Sequence, residues 1–401
     1  AHAMQFADRL NNVETSAIRE LFKLLGKPGI ISFAGGFPDS AMFDVDGIRE
    51  AVNTALTEEA GGALQYGATE GYTPLREQLA RFMTDKGARD VAAENLIVTT
   101  GSQQALDLLG KALISPGDKV FVEGPTFLAT IQCFRLYGAE LISAPVDGDG
   151  VDTDALAALM AEHKPKLVYL IPTFGNPSGA TLSLARRKKV LELAVQHNTL
   201  VVEDDPYGDL YFGDAPPPSL LALSAQVPGS RELLAHCGSL SKVLSPGLRV
   251  GWMIAPPELL AKATMCKQFS DAHTSTFAQA TAAQYLKAGR MPATLAHVRQ
   301  VYASRANAMG DALRAELGDA ISFVQPKGGL FVWAKLTGAG GAVADGGVLA
   351  KRAIEKNVAF VPGAPFFAGQ PDHATLRLSF ATVGEDKIRE GVARLAQAVR
   401  N

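Results

Sequence analysis

The chain has 401 residues, of which 47% are apolar and 20% are charged, so it can bury a large core and is long enough for two domains. Its 41 acidic and 38 basic side chains give a formal net charge of −3, without the basic cluster that nucleic-acid binding requires. The three widely spaced cysteines exclude a disulfide framework and favour a reducing compartment. No run of ~20 apolar residues and no signal pattern is present, so we expect a cytoplasmic protein without a membrane span.

In chain order, the first predicted element is a helix over residues 13–25, with apolar side chains on one face. From residue 96 onward, short apolar runs alternate with helical patterns. The predicted strands are Leu96–Thr100, Lys119–Glu123, Glu140–Ala144, Lys166–Pro172, Thr199–Glu203, Leu233–Gly238 and Val250–Ala255. Ser102, Thr153 and Ser183 are start signals for helices over Gln103–Ser115, Asp154–His163 and Leu184–Asn198. This alternation predicts an α/β fold with a mostly parallel, seven-stranded sheet between helices.

The C-terminal part has a different pattern. A long helical pattern near Thr294–Leu317 precedes predicted strands at Leu330–Leu336 and Thr375–Phe380, and the chain closes with a helix. We therefore expect a large α/β domain over residues 46–290. The two ends, residues 4–45 and 291–401, are expected to form a smaller α+β domain.

Several common chemistries have no motif in the chain. There is no GxGxxG after a predicted strand, no P-loop, no GxSxG elbow and no HExxH. The seven histidines are scattered without ligand spacing, so no metal site is expected.

A lysine follows the strand predicted at Leu233–Gly238. The segment reads Gly238-Ser239-Leu240-Ser241-Lys242, and Arg249 lies a few residues beyond it. Such a lysine can be held away from water near a phosphate; the loss of water lowers its pKa and leaves a neutral amine that can attack a carbonyl. The same pattern, taken alone, is equally compatible with an ordinary polar loop.

Three other predicted strands also end in polar residues. Asp204 at the end of Thr199–Glu203 can pair with a protonated ring nitrogen, and Tyr207 can donate to a ring oxygen. Asn176 lies in the turn Asn176-Pro177-Ser178-Gly179, and its amide is another directional donor. Ser102 and Gln103 open a helix whose free N–H groups suit a phosphate. Each segment alone also fits a cap or a turn, but all four strand ends meet at one edge of such a sheet, where ligands bind.

Together these segments resemble the fold-type I, class I and II pyridoxal-phosphate aminotransferases, in particular their 2-aminoadipate, kynurenine and aromatic branch. The resemblance covers essentially the whole chain. Besides the four strand ends, it is carried by Ser16-Ala17-Ile18-Arg19-Glu20, Ser32-Phe33-Ala34-Gly35-Gly36-Phe37-Pro38-Asp39, Leu64-Gln65-Tyr66-Gly67, Glu70-Gly71-Tyr72 and Leu376-Arg377-Leu378-Ser379.

The resemblance implies roles for individual residues. Lys242 would hold pyridoxal 5'-phosphate as a Schiff base and move the substrate proton, while Asp204 would pair with the ring nitrogen. Cofactor contacts would also come from Asn176, Tyr207, Ser102, Gln103, Ser239, Ser241 and Arg249. Arg377 would bind the substrate carboxylate, helped by Asn176 and the backbone of Gly36.

Three further expectations follow from the same resemblance. Tyr66 would reach the cofactor phosphate of a second subunit, which predicts a homodimer with shared active sites. Phe127 stands where relatives often have tyrosine, so it would stack on the cofactor without offering a hydroxyl. Arg19 would meet the distal carboxylate of acidic substrates, although its position also fits a solvated surface arginine.

The implied activity is the transfer of an amino group between an L-amino acid and a 2-oxo acid. The expected donors are broad and include 2-aminoadipate and aromatic or branched-chain amino acids, with 2-oxoglutarate as the acceptor. Two alternatives stay open at this point. One is another reaction of the same cofactor, such as C–S lysis, decarboxylation or racemisation. The other is an aminotransferase-like ligand sensor without enzymatic activity.

Overall fold

The computed structural model of the chain describes residues 3–14 and 17–400, so Ser16 of the N-terminal motif lies outside the described residues. The helices are α1 (Ala17–Leu24), α2 (Val45–Glu58), α3 (Ala60–Leu64), α4 (Thr73–Asp85), α5 (Gly101–Leu113), α6 (Leu128–Leu136), α7 (Thr153–His163), α8 (Leu184–His197), α9 (Leu220–Leu223), α10 (Pro257–Ser270), α11 (Thr276–Lys287), α12 (Met291–Leu317), α13 (Gly346–Glu355) and α14 (Glu385–Arg400). The strands are β1 (Ile31–Ser32), β2 (Leu96–Thr99), β3 (Lys119–Gly124), β4 (Glu140–Asp147), β5 (Gly150–Val151), β6 (Leu167–Leu170), β7 (Leu200–Asp205), β8 (Leu234–Ser239), β9 (Gly251–Ile254), β10 (Ile321–Phe323), β11 (Phe331–Leu336), β12 (Val358–Ala359), β13 (Val361–Pro362) and β14 (Thr375–Ser379).

The central sheet has the strand order β2-β9-β8-β7-β6-β3-β4-β5. Neighbouring strands from β8 through β7, β6 and β3 to β4 are parallel, whereas β9 runs antiparallel to both of its neighbours. All seven predicted strands form. The structure adds an eighth, because the chain reverses at Gly148-Asp149 and β5 pairs back on β4.

Both faces of this sheet are buried, as its apolar strands predict. Successive residues along a strand point to opposite faces, so Val201 joins one apolar cluster and Val202 the other. The same alternation puts Leu170 with Val201 and Tyr169 with Val202. Helices cover both clusters, and the sheet is thereby held as a rigid layer whose strand ends are fixed in position.

The starts of α5, α7 and α8 agree with the predictions within two residues, whereas α1 begins at Ala17 instead of residue 13 and α12 begins three residues before the predicted Thr294. Ser183 caps α8, since its Oγ accepts a hydrogen bond from the backbone N–H of Arg186 at 3.3 Å. The cap of α7 is Asp152 rather than Thr153, because the Asp152 carboxylate accepts the first free N–H groups. The helix predicted to begin at Gln103, after Ser102, begins two residues earlier in the structure, at Gly101.

The C-terminal elements form a four-stranded sheet in the order β10-β11-β14-β13, in which all pairs are antiparallel. The long predicted helix is α12, which begins at Met291, and Pro292 suits its first turn. β1 pairs with β12 in parallel and joins the N-terminal segment to the C-terminal part. This pairing supports the division into residues 46–290 and 4–45 with 291–401, which stays a prediction. Within the described residues, no helix has the length and apolar character needed to cross a membrane.

A fully buried arginine on α8 ties two loops at the edge of the sheet together. Arg187 donates to the carbonyls of Leu182, Pro172 and Pro218 and to the hydroxyl of Thr173, at 2.7–3.2 Å. Its burial lowers the pKa of the guanidinium. Because none of its hydrogen-bonding partners among the described residues is a carboxylate, its bonds go mainly to backbone carbonyls that would otherwise be unsatisfied.

We expect Arg187→Met to lower the free energy of unfolding by about 2–4 kcal/mol, because several buried acceptors lose their donor at once. The measurement is urea unfolding of the purified protein. Lys188→Met, at the next position of the same helix, is the matched control and should change stability by less than ~0.5 kcal/mol. Equal effects of the two substitutions would contradict this account of Arg187.

Candidate active site

The carboxyl-terminal ends of β6, β7 and β8 open onto a cavity of about 380 Å³. All of the predicted site residues except Tyr66 and Arg19 line it. These are Gly36, Ser102, Gln103, Phe127, Asn176, Asp204, Tyr207, Ser239, Ser241, Lys242, Arg249 and Arg377. They come from loops far apart in the sequence, and the parallel strands bring them together because the strands end at the same edge.

Lys242 lies three residues beyond the end of β8 and points into this cavity. Its Nζ donates a hydrogen bond to the carbonyl oxygen of Gly36 at 2.9 Å. Burial lowers the pKa of Lys242 to about 8, and the positive charges of Arg377 and Arg249 act in the same direction. Near neutral pH, Lys242 is therefore the neutral, nucleophilic amine in an appreciable fraction of the molecules.

Asp204 occupies the end of β7 and is almost completely buried. Its Oδ2 accepts a hydrogen bond from the hydroxyl of Tyr169 at 2.5 Å. Its Oδ1 is buried and has no hydrogen-bond partner among the described residues. Burial raises the pKa of Asp204 to about 7, so a cationic N–H donor placed against Oδ1 would stabilise the carboxylate.

A chain of hydrogen bonds links three polar side chains on the opposite wall. Arg377 Nη1 donates to Asn176 Oδ1 at 2.8 Å, and Asn176 Nδ2 donates to the Tyr207 hydroxyl at 3.5 Å. Asn176 therefore presents its amide N–H to the side where Tyr207 lies. Burial raises the pKa of Tyr207 to about 12, so its phenol keeps its proton at neutral pH.

Arg377 is a buried cation without a carboxylate partner in the described part of the chain. Its Nη2 donates to the carbonyl of Ala34 at 2.9 Å, and its Nε has no partner there. The guanidinium lies 4.4 Å from the ring centre of Phe331 and 5.1 Å from that of Phe366. Burial lowers the pKa of Arg377 to about 10, which still leaves it charged at neutral pH, so it can bind an anionic group.

The remaining polar residues surround the beginning of α5. Gly101 has φ +78°, and a Cβ there would lie 2.2 Å from Arg249 Nη2, so glycine is needed for the guanidinium to approach. Ser239 Oγ accepts from the backbone N–H of Ser241 at 2.9 Å, and the buried Ser241 Oγ has no partner among the described residues. The free helix N–H groups, two hydroxyls and Arg249 form a seat for an anion.

The structure does not bring Arg19 and Tyr66 into this cavity. Arg19 is exposed on α1, while Ile18 and Phe22 of the same helix line the cavity. Tyr66 is 86% exposed and packs edge-on against His273. Phe127, directly before α6, lines the cavity as an aromatic wall.

Two groups of residues around the site were not found from the sequence. One is Tyr169, which lies among aliphatic residues in β6 and holds Asp204. The other supports the start of α5, where Lys267 Nζ bonds Gln104, Asp271 and Thr274 at 2.7–3.0 Å. Tyr169 gave one signal, a hydroxyl inside an apolar strand. Lys267 and Asp271 gave another, since they are four residues apart, whereas Gln104 is far from both in the sequence.

The family model described as aminotransferase class I and II matches residues 29–395. The chain is 44% identical over 397 residues to the 2-aminoadipate transaminase of Thermus thermophilus, covering 98% of this chain and 96% of the relative. It is 39% identical over 400 residues to aromatic-amino-acid aminotransferase 1 of Thermococcus litoralis, covering 98% and 94%.

A solved structure agrees with these relatives. The α-aminoadipate aminotransferase of Thermus thermophilus, complexed with N-(5'-phosphopyridoxyl)-L-leucine, superimposes with a TM-score of 0.89 at 41% identity, covering 98% of this chain and 97% of that one. The fold predicted from the sequence is confirmed, and the relatives favour transamination over the other reactions and over a ligand sensor. The chain belongs to the class I and II aminotransferases and is an enzyme that transfers amino groups of amino acids with pyridoxal 5'-phosphate as its cofactor.

Proposed function

We propose that the cavity beside Lys242 holds the cofactor and the amino-acid substrate together. The observation that carries this proposal is a set of buried polar atoms that line the cavity without partners in the described residues: Asp204 Oδ1, Ser241 Oγ and Arg377 Nε, whose guanidinium also lacks a carboxylate partner there. Buried polar groups rarely stay unsatisfied in a native protein. A protonated ring nitrogen, a phosphate and a carboxylate would satisfy them in turn, and these are the groups of the cofactor and substrate.

The cofactor residues each have a distinct task in this proposal. Asp204 binds the ring nitrogen, and Asn176 and Tyr207 donate to the ring oxygen. Phe127 packs on the ring face. The phosphate is bound by the first turn of α5, including Ser102 and Gln103, together with Ser239, Ser241 and Arg249. When bound, the cofactor supplies an electron sink that makes the proton on the substrate Cα removable.

Lys242 has two tasks. Its neutral Nζ would hold the cofactor covalently, and once the substrate has released it, Nζ would accept and carry the proton that leaves the substrate Cα. The pKa of about 8 suits both directions, because a base works best when its pKa lies near the working pH. The 2.9 Å hydrogen bond to Gly36 holds Nζ on the substrate side of the cavity.

Substrate recognition begins with Arg377. Its planar guanidinium offers two parallel N–H donors to the α-carboxylate, and its position between Phe331 and Phe366 restricts its rotation. Asn176 and the backbone of Gly36 complete this part of the site. Ile18 and Phe22 form an apolar wall, which suits aromatic and branched-chain donors. We propose 2-aminoadipate as a further donor and 2-oxoglutarate as the acceptor.

We also propose a cytoplasmic homodimer with shared active sites. Four large apolar side chains in two chain segments are 51–86% exposed, which is more than such side chains usually show: Leu64 and Tyr66 in one segment, and Met265 and Phe269 in the other. A second subunit would cover them. Tyr66 would then donate to the phosphate bound by the partner subunit.

The attachment of the cofactor to Lys242 can be tested by reducing the holoenzyme with borohydride and mapping the labelled peptide. We expect a single label on Lys242. Lys242→Ala should lose transamination almost completely, because it removes the attacking amine and the proton carrier together. Lys262→Ala, an exposed control on α10, should leave label and activity unchanged. A label on another lysine would contradict the assignment.

Shared sites can be tested by mixing two inactive variants. Tyr66→Asp brings a negative charge to the phosphate, and Lys242→Ala removes the amine. If Tyr66 acts across the interface, each hybrid dimer has one intact site, so random mixing should restore about a quarter of wild-type activity. Hybrids demonstrated by differential tagging but without any activity would argue for separate sites.

The choice of substrate can be tested at Arg19, which we propose to meet the distal carboxylate of acidic donors when α1 covers the cavity. The relative from Thermus thermophilus is named for α-aminoadipate and was solved with a leucine adduct, so that protein accommodates both acidic and apolar side chains. Arg19→Ala should lower kcat/KM for 2-aminoadipate about ten- to a hundredfold, through loss of ~1.5–3 kcal/mol, and spare leucine. The exposed Lys27→Ala is the control. An equal loss of kcat/KM for both donors would show that Arg19 does not select the substrate and is an ordinary surface arginine.

A further inference from the structure

A tyrosine behind the cavity makes the hydrogen bond that orients Asp204. Tyr169 lies in β6 and is completely buried, and its hydroxyl donates to Asp204 Oδ2 at 2.5 Å. Among the described residues no other group donates to this carboxylate, since Oδ1 is without a partner. The two carboxylate oxygens therefore differ: Oδ2 is hydrogen-bonded to the protein interior, and Oδ1 is left for a group in the cavity.

The position of the hydroxyl is set by strand pairing. Tyr169 is the register partner of Val202, so its side chain shares a sheet face with Val202 and with Asp204 two residues further along β7. The tyrosine ring packs edge-on against Phe134, with ring centres 5.9 Å apart at 88°. The ring cannot turn away in this packing, and its hydroxyl stays aimed at Oδ2.

The surroundings of Asp204 disfavour its ionised form. The ionisable groups around it are Tyr169 on β6, Cys237 on β8, and Tyr207 and Lys242 in the adjoining loops, with Glu203, Asp205 and His236 pointing to the opposite face of the sheet. Burial is the largest influence and raises the pKa of Asp204 to about 7, with Asp205 and Glu203 adding to the rise. The hydrogen bond from Tyr169 is the largest opposing influence.

The proton of this hydrogen bond belongs to the tyrosine. Burial, followed by the neighbouring charge of Asp204, raises the pKa of Tyr169 well above its ordinary value. The phenol therefore stays neutral and always offers a donor. A carboxylate that accepts a hydrogen bond in its charged form is stabilised in that form.

We propose that Tyr169 is a positioning residue that keeps Asp204 ionised and aims Oδ1 at the nitrogen of the cofactor ring. This inference rests on the proposed role of Asp204. Tyr169 touches neither cofactor nor substrate, and it acts by deciding whether the carboxylate that meets the ring nitrogen carries a charge. The ring of Tyr169 packs in the apolar core, while its hydroxyl group holds Asp204.

The test separates the hydroxyl from the ring with Tyr169→Phe and reads cofactor binding instead of turnover. Dissociation constants are measured between pH 6 and 9 for pyridoxal 5'-phosphate and for an analogue with C–H in place of the ring nitrogen. Below the pKa of Asp204 its carboxyl is neutral and the ring nitrogen loses its partner, so affinity for the natural cofactor falls on the acid side. Tyr169→Phe raises that pKa, so this fall should move to higher pH by about one to two units.

The analogue has no ring N–H to pair with Asp204. At pH 7 the preference for the natural cofactor over the analogue should therefore decrease about ten- to a hundredfold in Tyr169→Phe, while affinity for the analogue stays near the wild-type value. Tyr137→Phe is the matched control. It removes a tyrosine-to-aspartate hydrogen bond of the same kind, to Asp107, outside the cavity, and should leave the preference unchanged.

Two further variants make the result decisive. In an Asp204→Asn background, Tyr169→Phe should have no additional effect on the preference, because no charge is left to stabilise. Substitution of 3-fluorotyrosine at position 169 keeps the ring and strengthens the donor, so the acid-side fall should move to lower pH. This variant also covers the case in which Tyr169→Phe folds poorly.

Unchanged preference and unchanged pH dependence in folded Tyr169→Phe, or equal losses for both cofactors, would overturn the proposal and leave Tyr169 as core packing. A different result identifies a failure of the underlying assignment. If Asp204→Asn itself leaves the preference for the natural cofactor at the wild-type value, Asp204 does not bind the ring nitrogen.

Discussion

The site depends on one physical constraint, which is that charged side chains are kept near each other at low solvent exposure without being allowed to pair. Lys242 and Arg377 contribute positive charge, Asp204 contributes negative charge, and none of the three forms an ion pair within the described residues. Charges taken out of water without a counter-ion cost free energy. That cost is offset when a cofactor with a phosphate and a ring nitrogen and a substrate with a carboxylate bind to these charges. The same unpaired charges therefore favour binding and make the side chains reactive.

The rest of the fold prevents these charges from neutralising one another. The parallel strands set the distance between Asp204 and the loop of Lys242, and buried polar groups behind the loops hold them in place. Arg187 ties Pro172 to Pro218, and Lys267 ties Gln104 to Asp271. Neither group faces the reacting atoms. Their hydrogen bonds keep irregular backbone rigid, which is the condition for preorganised catalysis.

The N-terminal helix is held by a small apolar cluster. α1 packs through Ile18, Leu21 and Leu25 against a small cluster that contains Val361 and Phe366, apart from the two large clusters of the sheet. An element held by such a small cluster opens at a lower free-energy cost than the sheet does. Because Phe366 also contacts Arg377, the same small cluster joins the cover of the cavity to the residue that we propose to bind the substrate carboxylate.

The sequence by itself determined the strand and helix pattern, the family, and most of the residues in the cavity. These features could be predicted because a strand end followed by a short polar motif is a local pattern of neighbouring residues. It also identified Lys242 and Arg377 through their motifs. Only the tertiary structure decided the ionisation of these groups, since burial and neighbouring charges lower the pKa of Lys242 and raise that of Asp204. The partner of Asp204 was likewise decided by the register of β6 on β7, which joins residues 35 positions apart and is determined by packing across the whole sheet.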